Sequence, residues 1–244
     1  MLQSFFDRPF VLAALVLGLG FFLSSALVSY TFYAVRSLDN TLSVTGSAKE
    51  AVRADIGKWT LEIYRTAFEG ELQGAYTQVA RDLTTVKAHF AQAGIPEESI
   101  SIKTVTADQD WSYSSQGGPT RYRVHQEVTI ESSDVDKIAS ISQSASQLIE
   151  RGVQVSPRQP EYYVSALPEL RVRLLGQAIA DAKARAESIV GTTGAGVGKL
   201  KSASSGVVQV LAPNATNVED YGSYDTSTID KEVMVTARAT FLVR

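Results

Sequence analysis

The two histidines are the first candidates for chemistry in this chain, because it contains no cysteine. Without cysteine, a thiolate nucleophile, a disulfide and a cysteine-based zinc site are excluded. His125 lies two residues before Glu127, and residues i and i+2 of a strand share one face. The pair could tune a proton or bind a metal ion, but a cross-strand ladder of ion pairs explains it more simply. His89 precedes the apolar Phe90 on a predicted helix, and we expect its side chain to face solvent.

A run of glycines is the second candidate, and it comprises Gly191, Gly194, Gly196 and Gly198. Phosphate-binding loops lead from a strand into a helix, so that the helix N-terminus meets the anion. These glycines instead follow a predicted helix, so capping and a tight return of the chain explain them. No nucleophile-elbow pattern is present, and no serine, histidine and aspartate set can be argued. We therefore predict a protein that is not an enzyme, with no catalytic residues, no cofactor and no metal.

A long polar loop over residues 212–230 is the third candidate. It carries acidic residues beside tyrosines, namely Glu219, Asp220, Tyr221, Tyr224 and Asp225. Loops of more than about 12–15 residues are uncommon in compact domains and are often functional. A solvated loop is the simplest interpretation, and the alternative is a surface that binds a partner or a cation.

The spacing of apolar residues predicts the elements that carry these candidates. Apolar and polar residues alternate with a period of two in several segments, which indicates strands with one buried face. Apolar residues spaced by three and four predict helices. The predicted strands are 41–45, 58–63, 100–107, 121–131, 207–211 and 232–243, with 153–165 extended, and the helices are 72–90, 133–148 and 168–190. We expect the stripe Leu175, Ile179, Ala182, Ala186 and Ile189 to be the buried side of the last helix.

The first 35 residues predict a membrane anchor. Residues 9–35 contain no charged side chain, and a bilayer core requires about 20 apolar residues in a helix. The alternative is a cleaved signal peptide, since Ser24 and Ala26 make a small-x-small site. Apolar residues continue past that site to Val35, which favours an uncleaved anchor. Arg8 and Arg36 flank the span almost symmetrically, so charge alone does not set its orientation.

Together the elements follow the order β-β-α-β-β-α-β-α-β-β. We predict an α+β fold, in which an N-terminal transmembrane helix precedes two αβ lobes with helices packed on antiparallel or mixed sheets. The domain bounds are a short tail at 1–8, the transmembrane helix at 9–35 and the α+β domain at 36–244. The net charge of −3 argues against nucleic acid as a partner.

The last strand suggests self-association. Met234 and Leu242 lie on the face opposite its core residues, where a soluble monomer would prefer polar groups. A strand at a sheet edge with such a face tends to be covered, so we predict these two residues as contacts of a homo-oligomer. Alternatively, both side chains pack under the 212–230 loop of the same chain.

Five segments resemble the SIMPL domain, also called DUF541. They are TLSVTGSA at 41–48, RADIGKWTLEI at 53–63, ADAKARAE at 180–187 followed by GAGVGKL at 194–200, and STIDKEVMVTARATF at 227–241. Their order and spacing carry the resemblance, which spans most of residues 41–243. Ala54 departs from the family, in which proline is frequent before the aspartate.

The resemblance implies a bacterial periplasmic or envelope protein. At least one such protein builds a large ring- or channel-like homo-oligomer, and the family name comes from an animal protein that joins kinase signalling complexes. No catalytic residues are established for the family. We therefore expect a single-pass protein of the bacterial inner membrane, with its soluble domain in the periplasm, that serves as a homo-oligomeric structural or assembly component.

Two other functions remain open from the sequence. One is an interaction or signalling module that binds another envelope protein through the acidic loop. The other is an enzyme or small-ligand binder that uses the face of Arg121, Arg123, His125 and Glu127.

Overall fold

A computed structural model describes residues 9–37, 40–111, 119–215 and 221–244. The first half of the chain forms α1 (Pro9–Ser37), β1 (Thr41–Arg53), β2 (Ile56–Phe68), α2 (Leu72–Gln92), β3 (Ile100–Ile102), β4 (Thr106–Gln109) and β5 (Arg121–Ser132). The second half forms α3 (Val135–Gln143), α4 (Ser146–Glu150), β6 (Val155–Pro157), β7 (Glu161–Tyr163), α5 (Leu167–Gly191), β8 (Val197–Leu211) and β9 (Asp230–Val243). The predicted α+β fold with antiparallel sheets and an N-terminal apolar helix is confirmed.

The body divides into two compact units. The first unit comprises the described residues up to Ser47, Leu175–Gly206 and Thr236–Arg244. The second unit comprises Ala48–Leu174 and Val207–Val235.

The second unit is organised around a sheet of order β3-β5-β2-β6, to which β4 adds beside β5 and β7 beside β2. The long pair β2 and β5 is antiparallel from Gly57 opposite Ser132 to Phe68 opposite Arg121. Because β2 and β3 both run antiparallel to β5, they are parallel to each other, and α2 connects them. By the same argument β5 and β6 are parallel, with α3 and α4 between them. Two interleaved βαβ crossovers of this kind define a ferredoxin-like topology.

Large apolar side chains form the core of the second unit. Trp59, Leu61 and Ile63 of β2 point to the helices, and the Trp59 ring meets Phe90 of α2 edge-on at 6.1 Å. The prediction that His89 faces solvent is wrong, since the side chain is only 5% exposed. The buried stripe of α2 is Ala75, Val79, Asp82, Val86, His89 and Phe90. His89 follows Val86 by three residues and therefore lies on the same side of the helix.

The first unit has a thin core in which α5 lies directly on β1. A Cβ atom on Gly46 would come within 2.1 Å of the Ala178 carbonyl oxygen. The predicted stripe of α5 is partly wrong, because Ile189 is 51% exposed and the buried positions of this unit are Ala178, Ala182, Ala186 and Val190. Alanines every four residues make a narrow ridge that admits this approach, whereas branched side chains would hold the helix away.

The sheet that includes β1 has the order β1-β9-β8. β9 is therefore its central strand, and the expectation that β9 forms a sheet edge is wrong. Met234 and Leu242 do lie half-buried on the face opposite Val233, Val235 and Phe241, as their parity predicts. β8 is an outer strand and starts at Val197, ten residues before the predicted start.

The helix α1 contains the one segment among the described residues that is long and apolar enough to cross a membrane, Phe10–Val35. Two of its hydroxyl groups are bonded within the helix. Ser24 Oγ donates to the Phe21 carbonyl at 2.9 Å, and Thr31 Oγ1 donates to the Leu27 carbonyl at 2.8 Å. Such bonds satisfy polar side chains without water.

Candidate functional site

The open face of the second unit's sheet carries most of the residues that could do chemistry. The helices cover the opposite face, so the polar residues of β2 and β5 point outward together. We call this the polar face, and it comprises Lys58, Thr60, Glu62 and Tyr64 of β2 with Arg121, Arg123, His125, Glu127, Thr129 and Glu131 of β5. The register places Lys58 opposite Glu131, Thr60 opposite Thr129 and Glu62 opposite Glu127.

A groove of about 440 Å³ lies at one end of this polar face. Thr60 and Thr129 form part of its floor, with their hydroxyl oxygens 2.9 Å apart. Its walls hold three basic side chains, Lys58, Lys103 and Arg158, and three acidic ones, Glu127, Glu131 and Glu161. The lining is therefore polar and balanced in charge, which suits solvent as well as it suits a ligand.

Glu127 is the most constrained carboxylate of the groove. Lys103 Nζ lies 2.6 Å from one of its oxygens and Arg158 donates to the other at 3.1 Å. The Lys103 hydrogen bond, opposed by burial, holds the pKa of Glu127 below its usual range. A carboxylate held ionised by two cations is a poor general acid or base near neutral pH.

The directly opposed Glu62 and Glu127 are each neutralised by different cations. Arg123 Nε donates to Glu62 at 3.0 Å, and the Arg123 guanidinium also lies 3.9 Å from the centre of the Tyr64 ring. Like charges opposite each other destabilise a strand pair, so these separate partners keep the pair stable. The polar face is thus a ladder of ion pairs, as the sequence predicts, although Glu127 pairs with Lys103 and Arg158 and not with His125.

His125 contacts a hydroxyl and two carboxylates. Its Nε2 lies 2.9 Å from Thr106 Oγ1 and 2.8 Å from Asp108, and its Nδ1 lies 3.5 Å from Glu62. This order of groups resembles a nucleophile, a base and an orienting acid. However, the Asp108 carboxylate favours a proton on Nε2, and a protonated nitrogen cannot accept one from Thr106. His125 also lies outside the lining of the groove.

A buried ion pair orders the segment between Tyr221 and β9. The Lys231 side chain is fully enclosed, donates to the Asp225 carbonyl and lies 3.5 Å from the Asp225 carboxylate. Burial alone would raise the pKa of Asp225, but hydrogen bonds from Ser227 and Thr228 and the Lys231 charge outweigh it and hold that pKa well below its usual range. Burial lowers the pKa of Lys231, and the Asp225 carboxylate only partly offsets this.

The residues predicted as a partner loop lie in different surroundings. The Tyr224 hydroxyl accepts a hydrogen bond from the Val164 amide at 2.9 Å, and Asp225 is bound within its own turn. Tyr221 is 98% exposed and is available to a partner. Glu219 and Asp220 lie outside the described residues. The loop remains a predicted partner site, with Tyr221 its accessible member among those described.

Sequence reasoning missed Lys103, Arg158 and Lys231. Lys231 could have been found, since it shares the parity of Val233 and Val235 and so continues the buried face of β9. Lys103 lies between β3 and β4, where the strand predicted over 100–107 is interrupted, and Arg158 follows β6, so no regular alternation places either side chain. Within the described residues no group of three or more histidine, aspartate or glutamate side chains is placed to hold a metal ion.

Comparison with known proteins places the chain in a family of unassigned activity. A family model described as SIMPL, a protein of unknown function (DUF541), matches residues 42–241. No curated protein matches. A crystal structure of an amidase of the hydantoinase/carbamoylase family from Burkholderia phymatum is similar over 54% of this chain and 35% of that enzyme, at 10% identity and a TM-score of 0.29. That likeness carries no functional argument. The match over residues 42–241 is nearly the whole body, and the chain belongs to the SIMPL (DUF541) family.

Proposed function

We propose that this protein is a membrane-anchored envelope protein that acts as a homo-oligomeric structural or assembly component without catalysis of its own. The observation that carries the proposal is the open part of β8. Residues 199–206 of this outer strand are exposed on both faces. Exposed strand edges in native proteins are usually short, guarded or covered by another chain.

The apolar helix supports the location. In the proposal α1 stays uncleaved in the bacterial inner membrane and the body lies in the periplasm. Family membership supports an envelope protein, and the apolar run to Val35 supports a retained anchor. Tethering confines the copies to two dimensions, which raises their effective concentration and reinforces weak contacts.

The polar face supports a role without catalysis. Its carboxylates Glu62 and Glu127 are paired with cations, and the Nε2 atom of His125 is shared between Asp108 and Thr106. Groups paired in this way stabilise a sheet surface and are poorly suited to act as a base on a nucleophile.

The mass of the full-length protein in detergent tests the assembly. Light scattering with subtraction of the detergent should give a multiple of the 26.3 kDa chain mass. Met234→Lys combined with Leu242→Lys should lower that mass if these residues are contacts, and Arg238→Lys on the same strand serves as the matched control. A monomer at tens of micromolar in detergent, together with no cross-linked copies in membranes, would reject the proposal.

Two further measurements test the location. Mass spectrometry of membrane fractions should recover peptides that precede Leu27, whereas a mature N-terminus at Leu27 would show cleavage. A reporter fused after Arg244 should behave as exported, and activity of a cytoplasmic reporter there would contradict the orientation.

A second candidate function rests on the exposed Tyr221. In this alternative the 212–230 loop binds another envelope protein, and the chain itself is monomeric. A monomeric particle whose binding to a purified envelope partner is lost in Tyr221→Ser, but retained in Tyr76→Ser, would favour it.

A further inference from the structure

β8 changes character along its length. Its last three residues, Gln209, Val210 and Leu211, are buried, whereas residues 199–206 are exposed on both faces. One edge of β8 pairs with β9. The other edge of β8 is therefore the one at which a further strand could pair.

The buried end of β8 is covered on that outer edge. The Val210 amide donates to the Ser223 carbonyl at 2.8 Å, and the Asp225 amide donates to the Val210 carbonyl at 2.8 Å. Gly222 has a positive φ of 83° and lies so close to the Val208 carbonyl that a Cβ atom would come within 2.8 Å of it. The chain itself thus occupies the edge from Val208 onward.

No other segment among the described residues forms a backbone hydrogen bond with the outer edge over residues 199–206, where Ser205 Oγ donates locally to the Gly206 carbonyl at 3.0 Å. The side chains of this stretch offer little obstruction. Ser202, Ala203, Ser204, Ser205 and Gly206 are small, and the only charged residues of β8 are Lys199 and Lys201. Neither lysine has an ion-pair partner in the part of the chain that the structure describes. Natural edges use lysine as a guard, but here both lysines lie at one end of the open stretch.

We infer that this open edge pairs antiparallel with the same edge of a second copy, about a two-fold axis at Ser202 or Ala203, which joins two three-stranded sheets into one. The inference deepens the proposed function and rests on it, since it names the contact of the homo-oligomer. Closed two-fold dimers are the commonest assemblies of identical chains.

Residues at both ends of the open stretch limit the register of the proposed β8–β8 pairing. A two-fold axis perpendicular to a continuous antiparallel sheet places one residue opposite itself. An axis at Leu200 would set Lys199 against Lys201 of the other copy, and like charges directly opposite are unfavourable. An axis at Ser204 would bring Leu200 against Val208, whose edge Gly222 already closes.

An axis at Ser202 or Ala203 avoids both conflicts. With Ser202 at the axis, Lys199 faces Ser205 and Lys201 faces Ala203. With Ala203 at the axis, Lys199 faces Val207 and Lys201 faces Ser205. The charges of the two copies then lie at opposite ends of the paired stretch, and the small residues meet in the middle.

β1, the other outer strand, is a less suitable partner for β8. It carries Lys49 and Arg53, whose ion-pair partners Glu232 and Asp230 belong to its own sheet. The one carboxylate of β1, Glu50, is already paired with Arg173, so β1 of another copy would offer no free carboxylate to Lys199 and Lys201.

Cysteine cross-linking of the full-length protein in membranes tests the pairing, because the chain has no cysteine of its own. Under mild oxidation, Ser202→Cys or Ala203→Cys should give a disulfide-linked dimer that reducing agent removes. Ser205→Cys is the matched control in the same exposed strand. In the two proposed registers, the Ser205 positions of the two copies would be four to six residues apart along the strands, or roughly 13–20 Å at the rise of a strand. A disulfide needs Cα atoms about 4.4–6.8 Å apart.

Absence of a dimer at both Ser202 and Ala203, or equal yields at Ser205, would overturn the pairing. A disulfide adduct with a different protein in place of the dimer would also overturn it. The double variant Ser202→Lys and Ala203→Lys should no longer give dimers with a cross-linker that does not react with lysine. Its circular dichroism spectrum should stay unchanged. If light scattering shows an oligomer but the cysteines do not link, this contact is wrong and the proposed function stands. If the particle is a monomer in detergent while the cysteines link in membranes, the pairing stands and the detergent-stable assembly fails.

Discussion

The two units are stabilised by cores of opposite kinds. The second unit buries large side chains, among them Trp59, Leu61, Ile63 and Phe90. The buried cluster of the first unit consists of Ala182, Ala186, Ala239 and Phe241. Hydrophobic stabilisation scales with the apolar area removed from water, so an alanine contributes far less than a tryptophan or leucine.

The difference teaches that the two units depend on different properties of their residues. The second unit depends on volume, and we expect it to be damaged when a large side chain is shortened. The first unit depends on closeness between α5 and β1, and we expect it to be damaged when a small residue is enlarged. Each of the following changes tests one side of this comparison.

Shortening Phe90 to alanine should have the largest effect. Phe90 is fully buried against Trp59, and such truncations cost about 3–5 kcal/mol because they remove apolar contact and leave a cavity. Urea denaturation monitored by tryptophan fluorescence measures the change. Tyr76→Ala on the same helix, where the side chain is 41% exposed, should cost much less. Equal losses of unfolding free energy in the two variants would show that Phe90 does not lie on the buried side of α2.

Enlarging Gly46 to alanine should cost about 3 kcal/mol, at the upper end for overpacking. The added methyl would meet backbone atoms of α5, the Ala178 carbonyl oxygen at 2.1 Å and the Ala182 nitrogen at 2.4 Å, and backbone cannot move aside as a side chain can. Hydrogen exchange should report lost protection in β1 and α5. Gly176→Ala, on α5 with open space around it, is the control and should be neutral or stabilising. A harmless Gly46→Ala would refute the close packing.

Lowering the pH should reduce the stability of the second unit before that of the first. The buried polar side chains that the structure describes, His89 among them, all belong to this unit. Burial, and next the Arg151 charge, lower the pKa of His89. The unfolded chain therefore takes up a proton near pH 6.5 that the folded chain resists, so stability is full above pH 6.5 and is lost as pH falls through the folded pKa.

Urea midpoints at pH 7.5 and pH 5 measure this dependence. His89→Gln should reduce the fall in stability between the two values, because it removes the proton uptake of the unfolded state. Thr84→Gln, at an exposed position of the same helix, serves as the control and should leave the fall in place. An unchanged fall in His89→Gln would assign the acid sensitivity to other groups.

Removing the polar face's histidine should have the smallest effect. His125→Ala is expected to cost under about 1 kcal/mol, since its partner Asp108 is 73% exposed and exposed ion pairs contribute little. Thermal unfolding measures the change. Loss of a measurable biological activity with an intact fold would revive a catalytic role for this face.

Local alternation explains which parts of the fold the sequence predicts. The segment 121–131 has one apolar and one polar face, and it matches β5 to within a residue. In β8, residues 199–206 have two solvent-exposed faces, so no alternation marks them and the strand was predicted only from Val207. The position of β9 between β1 and β8 depends on pairing between distant segments, which spacing does not encode.

The same limit applies to the candidate site. The ladder of ion pairs followed from the i, i+2 rule applied to β5. Its partners Lys103 and Arg158 come from irregular segments, and only the three-dimensional pairing brings them to Glu127. Spacing misplaces His89 because it assigns the buried position in that turn to Phe90 alone, whereas the stripe of α2 is wide enough to include both residues.

The order of strands in the first sheet has a consequence for biosynthesis. β9 is the central strand, yet it follows both β1 and β8 along the chain. The segments of the second unit that precede β8 can form most of their βαβ crossovers from contacts within residues 48–174, as the chain emerges. β1 and β8, in contrast, have no shared partner until β9 has been synthesised. Domains generally fold as units during synthesis, and unpaired strands are prone to aggregate meanwhile. The sheet of β1, β9 and β8 is therefore the last part of the molecule to form, and its exposed strands are where a chaperone would have most to protect.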